Sequence, residues 1–442
     1  MFAVHRPTLC LTLATGLAIS ALMPMAALAN DVADCEQYKD YQKRIDGCSK
    51  LLKTGGYDAR TQAIILANRG FAYRRLGKPA EATADYDQSI KNNPKYARAY
   101  FLRADLIAES GKYLAAIEDY NRAIQLNSGL TDAYLNRGVA YGNLGKHAAA
   151  ISDYTKTIEL DPKYALAYSN RCDSYRVVGS YPQALKDCDK ALEISPNYAS
   201  AHYNRGNVLS DMGKHADAIL SYTTAIRIQP KRTSFYTNRG FSFGELGKTQ
   251  EAINDYTRAL ELNPKLPVAL NNRCSSWIDL GKPAKGKPDC QKAVEISPKY
   301  ANAYYNLGRA ENVLKNYAEA IAALTRAIEL KPKMADAYFV RGNVYRAQKD
   351  FAAAAKDYVA TIGINPKASS AYLNLGISYE ELGQADESLK AYEKAFELGG
   401  ASRIKKFQTY MRGKGFYEGE PDGKYDEKTR DGLKACIKSP LC

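Results

Sequence analysis

Three residue sets in this sequence could do chemistry, and each recurs at a fixed spacing. The first is cysteine. Beyond Cys10, the chain has Cys35 and Cys48, Cys172 and Cys188, Cys274 and Cys290, and Cys436 and Cys442. Neither a C-x-x-C motif nor a Cys/His grouping at metal-ligand spacing occurs, so redox catalysis and a metal centre are not indicated. The second set is Asn68, Asn136, Asn170, Asn204, Asn238, Asn272, Asn306 and Asn374, separated by 34 residues or 68. A side-chain amide offers two donors and an acceptor, which suits an extended peptide backbone. The third set places Arg directly after most of these asparagines and Asp sixteen residues later, as in Arg69/Asp85, Arg137/Asp153 and Arg341/Asp357. Where Leu307 and Leu375 replace the Arg, Ala323 and Ala391 replace the Asp; Arg205 alone breaks the rule, facing Ser221. Charges that appear and vanish together read as a structural ion pair. No nucleophile elbow, phosphate loop or isolated acid/base constellation is present, so no catalytic residue and no cofactor is expected.

These spacings come from a repeat. The segments 133–164 and 235–266 superpose without a gap, and their starts differ by three periods of 34. With phase 1 at Ala63, ten units run without insertion over 63–402. The prevailing pattern is Tyr at phase 4, a small residue at 8, an apolar residue near 11 and usually Gly at 15, then Ala at 20, Tyr at 24, Ala or Thr at 27 and Pro at 32. Phases 4, 8, 11 and 20, 24, 27 have helical spacing, Gly breaks the first helix and Pro ends the second. The expected unit is a helix-turn-helix hairpin, in which Tyr packs against small residues and so explains 34 tyrosines against one tryptophan. Phases 8 and 24 face each other across the hairpin. Cys172/Cys188 and Cys274/Cys290 occupy that pair of phases in the fourth and seventh units, and disulfides are expected there; reduced packing would conserve the volume equally. Residues 30–62 read as a half-repeat cap stapled by Cys35 and Cys48.

This pattern resembles the tetratricopeptide repeat family over 340 of 442 residues. The resemblance implies an all-α right-handed superhelical solenoid of ten repeats, whose first helices line a concave groove for proteins and peptides, with no catalysis of its own. Family members similar in this respect use the phase-6 Asn on a ligand backbone, which makes the eight asparagines candidate groove residues. Phase 5 contributes Phe101, Tyr203, Tyr305 and Phe339. Arg74, Arg75, Arg176, Arg309 and Arg346, beside Asp211, Glu245, Asp279 and Glu381, suggest a mixed groove with a basic patch at Arg74/Arg75. A two-lysine carboxylate clamp is not evident.

Residues 1–29 read as a signal peptide: Arg6, an apolar stretch near Leu9–Leu22, and Ala27-Leu28-Ala29 as the cleavage site. Removal of Cys10 leaves eight cysteines for an oxidising, periplasmic compartment, and no integral membrane segment. The net charge of +14 can signal nucleic acid, but thirteen lysines fall at phases 16 and 33, in turns, and export removes chromosomal partners.

Residues 403–442 resemble the small helical peptidoglycan-binding module of cell-wall enzymes, carried by Ile404, Phe407-Gln408, Gly415-Phe416-Tyr417, Gly419, Asp422-Gly423, Tyr425, Thr429 and Leu433. The resemblance implies glycan contact through Phe416, Tyr417, Asp422, Gly423 and Tyr425. Asp426 stands where that family usually has Gly, and the chain ends where the family continues; Cys436 and Cys442 are expected to close the end instead. The expected function is an exported, non-enzymatic scaffold holding a protein or peptide partner in its groove, docked on peptidoglycan by its tail. The rivals are a recruiting subunit of a cell-wall enzyme and a purely structural wall-associated spacer.

Overall fold

The computed structural model describes residues 25–439 apart from residue 38, and among these it is helical, with no strand. Residues 1–24, which carry most of the expected signal peptide, and Cys442 lie outside the described residues. A helix from Met25 to Glu36 runs through the expected cleavage point and pairs with Tyr41–Thr54, capped by the Asp40 carboxylate, which accepts from the Gln42 and Lys43 amides. The Cys35–Cys48 disulfide joins the two.

Ten hairpins follow. From repeat 2 to repeat 9 the first helix (helix A) occupies phases 1–13 and the second (helix B) phases 17–30, from Ala97–Glu109 and Tyr113–Leu126 to Ala335–Ala347 and Phe351–Ile364. Helix A of repeat 1 starts earlier than the period requires, at Ala59, because Asp58 caps it by accepting from the Thr61 amide. The turn at phase 15 is left-handed throughout, as at Gly145 (φ 71°), which is why Gly recurs there. Lys315 and Lys349 hold the same left-handed backbone at φ 64° and 63° without being glycine.

In six hairpins a phase-8 glycine lies against a phase-24 tyrosine. A Cβ on Gly138 would stand 2.7 Å from Tyr154 Cε1, so a larger residue there needs the ring to shift; repeat 2 accommodates Ala104 against Tyr120. Where Cys replaces both, the sulfurs bond: Cys172–Cys188 and Cys274–Cys290 are disulfides, buried completely. Tyr86, Tyr120, Tyr222 and Tyr358 at phase 24 are also fully buried. The phase-4 tyrosines differ from expectation. Tyr100, Tyr134, Tyr168 and Tyr338 are half-buried, each with an arginine three residues on lying 5.5–5.8 Å from its ring centroid. They cover an ion pair at the edge of the core, whereas Tyr236 at the same phase is buried.

The chain divides into two compact units, 1–230 and 231–442. In each, successive A helices pack on one another, and no pair of successive B helices does so comparably. The A face is therefore the tighter side of both units. In the last repeat, helix B and the following helix form one element, Ala385–Gly413, broken at Gly400, which stands at the phase-32 proline position with φ 63°. A loop then leads to the final helix, Glu427–Ile437.

Candidate partner-binding face

Helix A carries Asn at phase 6 and Arg at phase 7, and the structure gives both a framework task. All seven expected Arg–Asp pairs form within a hairpin. Arg137 Nε and Nη2 donate to Asp153 at 2.8 and 2.6 Å, and Arg171 grips Asp187 at 2.6 and 2.8 Å. The third guanidinium nitrogen reaches back to helix B of the preceding repeat: to Asp87 from Arg103, Asn121 from Arg137, Thr155 from Arg171, Thr257 from Arg273 and Thr325 from Arg341. Arg205, which lacks the aspartate, donates instead to Asp189 and Ser221. One planar fork thus ties three helices, a geometry that Lys could not supply.

The asparagines also stitch neighbours. The Asn136 amide donates to Asp105 at 2.8 Å, Asn306 to Asn271 at 2.9 Å, Asn374 to Asn343 at 2.8 Å, and Asn204 to the Ser169 carbonyl at 3.0 Å. Asn68 accepts from Arg44 of the cap, and Asn272 accepts from Asn271. Asn136 and Asn306 are buried, at 0% and 6% exposure, which places them inside the seam between repeats and not on an open wall. Asn68, Asn170, Asn204, Asn238, Asn272 and Asn374 are half-buried; Asn170 makes no side-chain hydrogen bond to the described residues.

The sequence reading missed the partners at phase 9. Asp105 accepts from Tyr120 (2.7 Å), Asn136 and Arg74 (3.2 Å), and Asn207 and Asn343 accept from Tyr222 and Tyr358 at 2.9 and 2.8 Å. Burial, with the Asp105 carboxylate adding to it, pushes the Tyr120 hydroxyl far above the ordinary tyrosine range. A polar residue at phase 9, one turn after Asn and level with the phase-24 hydroxyl, was the available signal.

In the expected basic patch Arg74 is neutralised, whereas Arg75 is exposed and forms no ion pair among the described residues. Arg74 bonds Glu109 at 2.7 and 3.0 Å as well as Asp105, and Arg75 stands 5.5 Å from the Tyr41 ring centroid. Arg176 pairs with Asp173 and Asp211, and Arg309 with Asp279. Arg74/Glu109 and Arg176/Asp211 share a separation of 35, which is phase 12 to phase 13 of the next repeat. Arg346 remains half-buried on the A face. Phases 9 and 13 also expose apolar side chains: Val177 (47%), Phe241 (46%) and Val313 (56%).

The C-terminal segment is helix, loop and helix, and most of the residues expected to touch glycan hold it together. Tyr417 and Gly423 are buried, Phe416 and Tyr425 are half-buried against Phe396 and Leu433, and only Asp422 is exposed. Gln408, fully buried, is the hub: its amide nitrogen reaches Tyr417, Asp422, the Lys424 carbonyl and Thr429, and its oxygen accepts from Gly423 N. The Lys424 amide and Gln408 hold the Asp422 carboxyl below the usual range. These aromatics join Tyr392 and Phe396 of the last repeat in one core. Cys436 is disulfide-bonded, and its expected partner Cys442 lies outside the described residues.

Among the described residues no group of His, Cys, Asp and Glu could hold a metal, and no helix is long and apolar enough to cross a membrane. Family models described as tetratricopeptide repeat match residues 131–164, 199–232 and 234–266, and residues 68–130, 276–335, 315–369 and 333–402. A further model, described as TPR repeat, matches 173–213. No curated protein sequence matches the chain. Among solved structures, MamA is 33% identical over 38% of this chain and 91% of its own, with TM-score 0.35. YrrB, described as a TPR protein with an unusual peptide-binding site, is 26% identical over 42% of this chain and 95% of its own, with TM-score 0.36. A tetratricopeptide repeat protein from Parabacteroides merdae is 18% identical over 57% and 99%, with TM-score 0.48.

Proposed function

Because the chain belongs to the tetratricopeptide repeat family, we propose that it is an exported, non-enzymatic scaffold whose A-helix face holds a protein or peptide partner. The observation that carries this reading is the contrast between constant and variable phases. Every repeat has the same framework needs, and phases 7, 8, 20, 23 and 24 meet them with few residue types. Phase 9 instead runs Phe71, Asp105, Val139, Asp173, Asn207, Phe241, Ser275, Arg309, Asn343 and Ile377. A position that differs at almost every repeat is not serving the framework alone. Half-buried Asn170 supplies amide donors, and Val177 and Val313 supply apolar contact.

Photo-crosslinking residues at Asn170, Val177 and Val313, compared with Leu114, Leu220 and Val359 on helix B, test the reading in cells. Adducts confined to the A-face sites support it, and adducts from helix B alone refute it. The disulfides support export to an oxidising compartment, which we take to be the periplasm. A second reading keeps peptidoglycan as an anchor, favoured by a C-terminal segment that folds as helix, loop and helix. Co-sedimentation with purified sacculi, comparing the full chain with one ending at Ser402, decides it: only the full chain should pellet.

A further inference from the structure

The net positive charge of this protein is closely matched in number by the lysines in its turns. Lysines at phase 16 are Lys78, Lys112, Lys146, Lys214, Lys248 and Lys282; at phase 33 they are Lys95, Lys163, Lys231, Lys265, Lys299, Lys333 and Lys367. Repeats 8 and 9 have Asn and Asp at phase 16 and place Lys315 and Lys349 one residue earlier. All fifteen are exposed, and none forms an ion pair among the described residues. The chain's net charge is +14, so removing fifteen turn lysines leaves −1: the rest of the molecule is balanced.

Two observations separate this from ordinary solvated turns. Lys315 and Lys349 occupy the left-handed position that glycine fills in the other eight repeats, at φ 64° and 63°, so a cation is kept there against a backbone cost. The other is placement within the unit 231–442. Helix A of repeat 6, Thr233–Glu245, lies between Lys231 and Lys248; that of repeat 7, Pro267–Asp279, between Lys265 and Lys282. Those of repeats 8 and 9, Ala301–Val313 and Ala335–Ala347, lie between Lys299 and Lys315, and Lys333 and Lys349. Four successive A helices, each about 20 Å long, thus carry a lysine at both ends. Between these rims the inner arginine Arg309 is already satisfied by Asp279. Glu245, at the end of the first of these helices, is the one phase-13 carboxylate among the four without an arginine partner in the described residues.

We propose that the A face of repeats 6–9 binds an acidic, extended polypeptide segment, its carboxylates directed to the two lysine rims and its apolar side chains over Phe241 and Val313. This rests on the groove reading above and adds the chemistry of the occupant. The two rims stand at opposite ends of each A helix, so a segment lying across the A helices has lysines on both sides. The rims would also steer encounter, an effect that falls with salt.

The test uses the full chain and two rim variants, Lys248→Gln/Lys282→Gln/Lys315→Gln/Lys349→Gln and Lys231→Gln/Lys265→Gln/Lys299→Gln/Lys333→Gln, with circular dichroism as a fold check. The probe is a fluorescent peptide alternating Asp or Glu with Leu or Tyr, long enough to cross four helices, beside its Asn/Gln isostere. Anisotropy at low salt should show the acidic peptide bound, the isostere weaker by more than about tenfold, and each rim variant weaker by about tenfold. Equal binding of the two peptides, or no loss in either variant, overturns the proposal. Loss of pelleting with phosphatidylglycerol vesicles in a rim variant whose peptide binding is intact also overturns it, and assigns the rims to a lipid surface. If the acidic peptide does not bind but crosslinks still form from Val313, the groove reading stands and only the acidic occupant falls.

Discussion

Substituting Asp105 tests whether the seam between repeats depends on a single buried carboxylate. Asp105 is 2% exposed and accepts from the Tyr120 hydroxyl, the Asn136 amide and Arg74. Asp105→Ala takes this acceptor from two side chains that are themselves 0% exposed. A buried neutral donor that loses its partner costs about 1–3 kcal/mol. Removing one partner of a buried ion pair costs about 3–5 kcal/mol, reduced here because Arg74 keeps Glu109. These overlap, and the expected total is about 4 kcal/mol. Asp105→Asn keeps an acceptor oxygen in place, as Asn207 and Asn343 do at the same phase, where they accept from Tyr222 and Tyr358. Its expected cost is about 1 kcal/mol, the charge-assisted part of the Arg74 contact. Urea unfolding followed by circular dichroism gives the totals. Because repeat arrays open locally, amide hydrogen exchange locates them: Asp105→Ala should lose protection over residues 97–143 and leave repeats 6–10 unchanged. Equal losses for the two variants, or a loss below about 1 kcal/mol for Ala, would refute the assignment of Asp105 as the hub.

Other outcomes follow from the same structure. Replacing Cys172 and Cys188 by Ala should destabilise by about 3 kcal/mol, the entropy of a loop closed over a separation of 16, and Cys274/Cys290 by as much again; the two should add, being in non-adjacent repeats, as read by urea midpoints with and without reductant. Lys315→Gly and Lys349→Gly should each raise stability by about 1 kcal/mol in thermal melts by relieving the left-handed backbone, while weakening acidic-peptide binding; a fall in stability would sink the strain argument. Burial raises the hydroxyls of Tyr86, Tyr120, Tyr154, Tyr256 and Tyr392, and that of Tyr358 to about 12. The folded state then keeps protons that the unfolded chain releases near pH 10, so stability is intact below pH 10 and falls as pH rises above it, by about 1.4 kcal/mol per pH unit for each tyrosine in a cooperative step. Tyrosinate absorbance from these residues should therefore emerge together with loss of helicity, and its emergence at unchanged helicity would contradict their burial.

The hairpins were legible almost to the residue, because the punctuation is chemical. Gly at phase 15 supplies a left-handed turn, Pro at phase 32 cannot continue a helix, and an exact 34-residue period transfers each boundary to the next repeat. The phase-8/phase-24 contact was legible too, since Gly with Tyr and Cys with Cys are both pairs of complementary volume. What a period cannot express is direction between repeats. Arg137 has Asp153 sixteen residues ahead and Asn121 sixteen residues behind, and both bonds form. Only the covarying Asp could be recognised, because phase 25, where the next repeat carries the Arg, varies among Asp, Asn and Thr, all of which accept from a guanidinium. The same gap left the seam role of Asn136 and Asn306 unread. A helix in a solenoid has two seams, one inside its hairpin and one toward its neighbour. A helical wheel drawn for the inner seam leaves the polar residues of the neighbour seam without an assigned partner, so they read as solvent-facing. Asn136, at 0% exposure and bonded to Asp105, belongs to that neighbour seam. The C-terminal aromatics have a framework task for a related reason: Tyr417 is buried and Tyr425 packs on Phe396, in a core shared with the last repeat. The residues left for recognition are then the ones that neither seam consumes, and the clearest of these are the lysines bounding each A helix and the apolar side chains exposed between them.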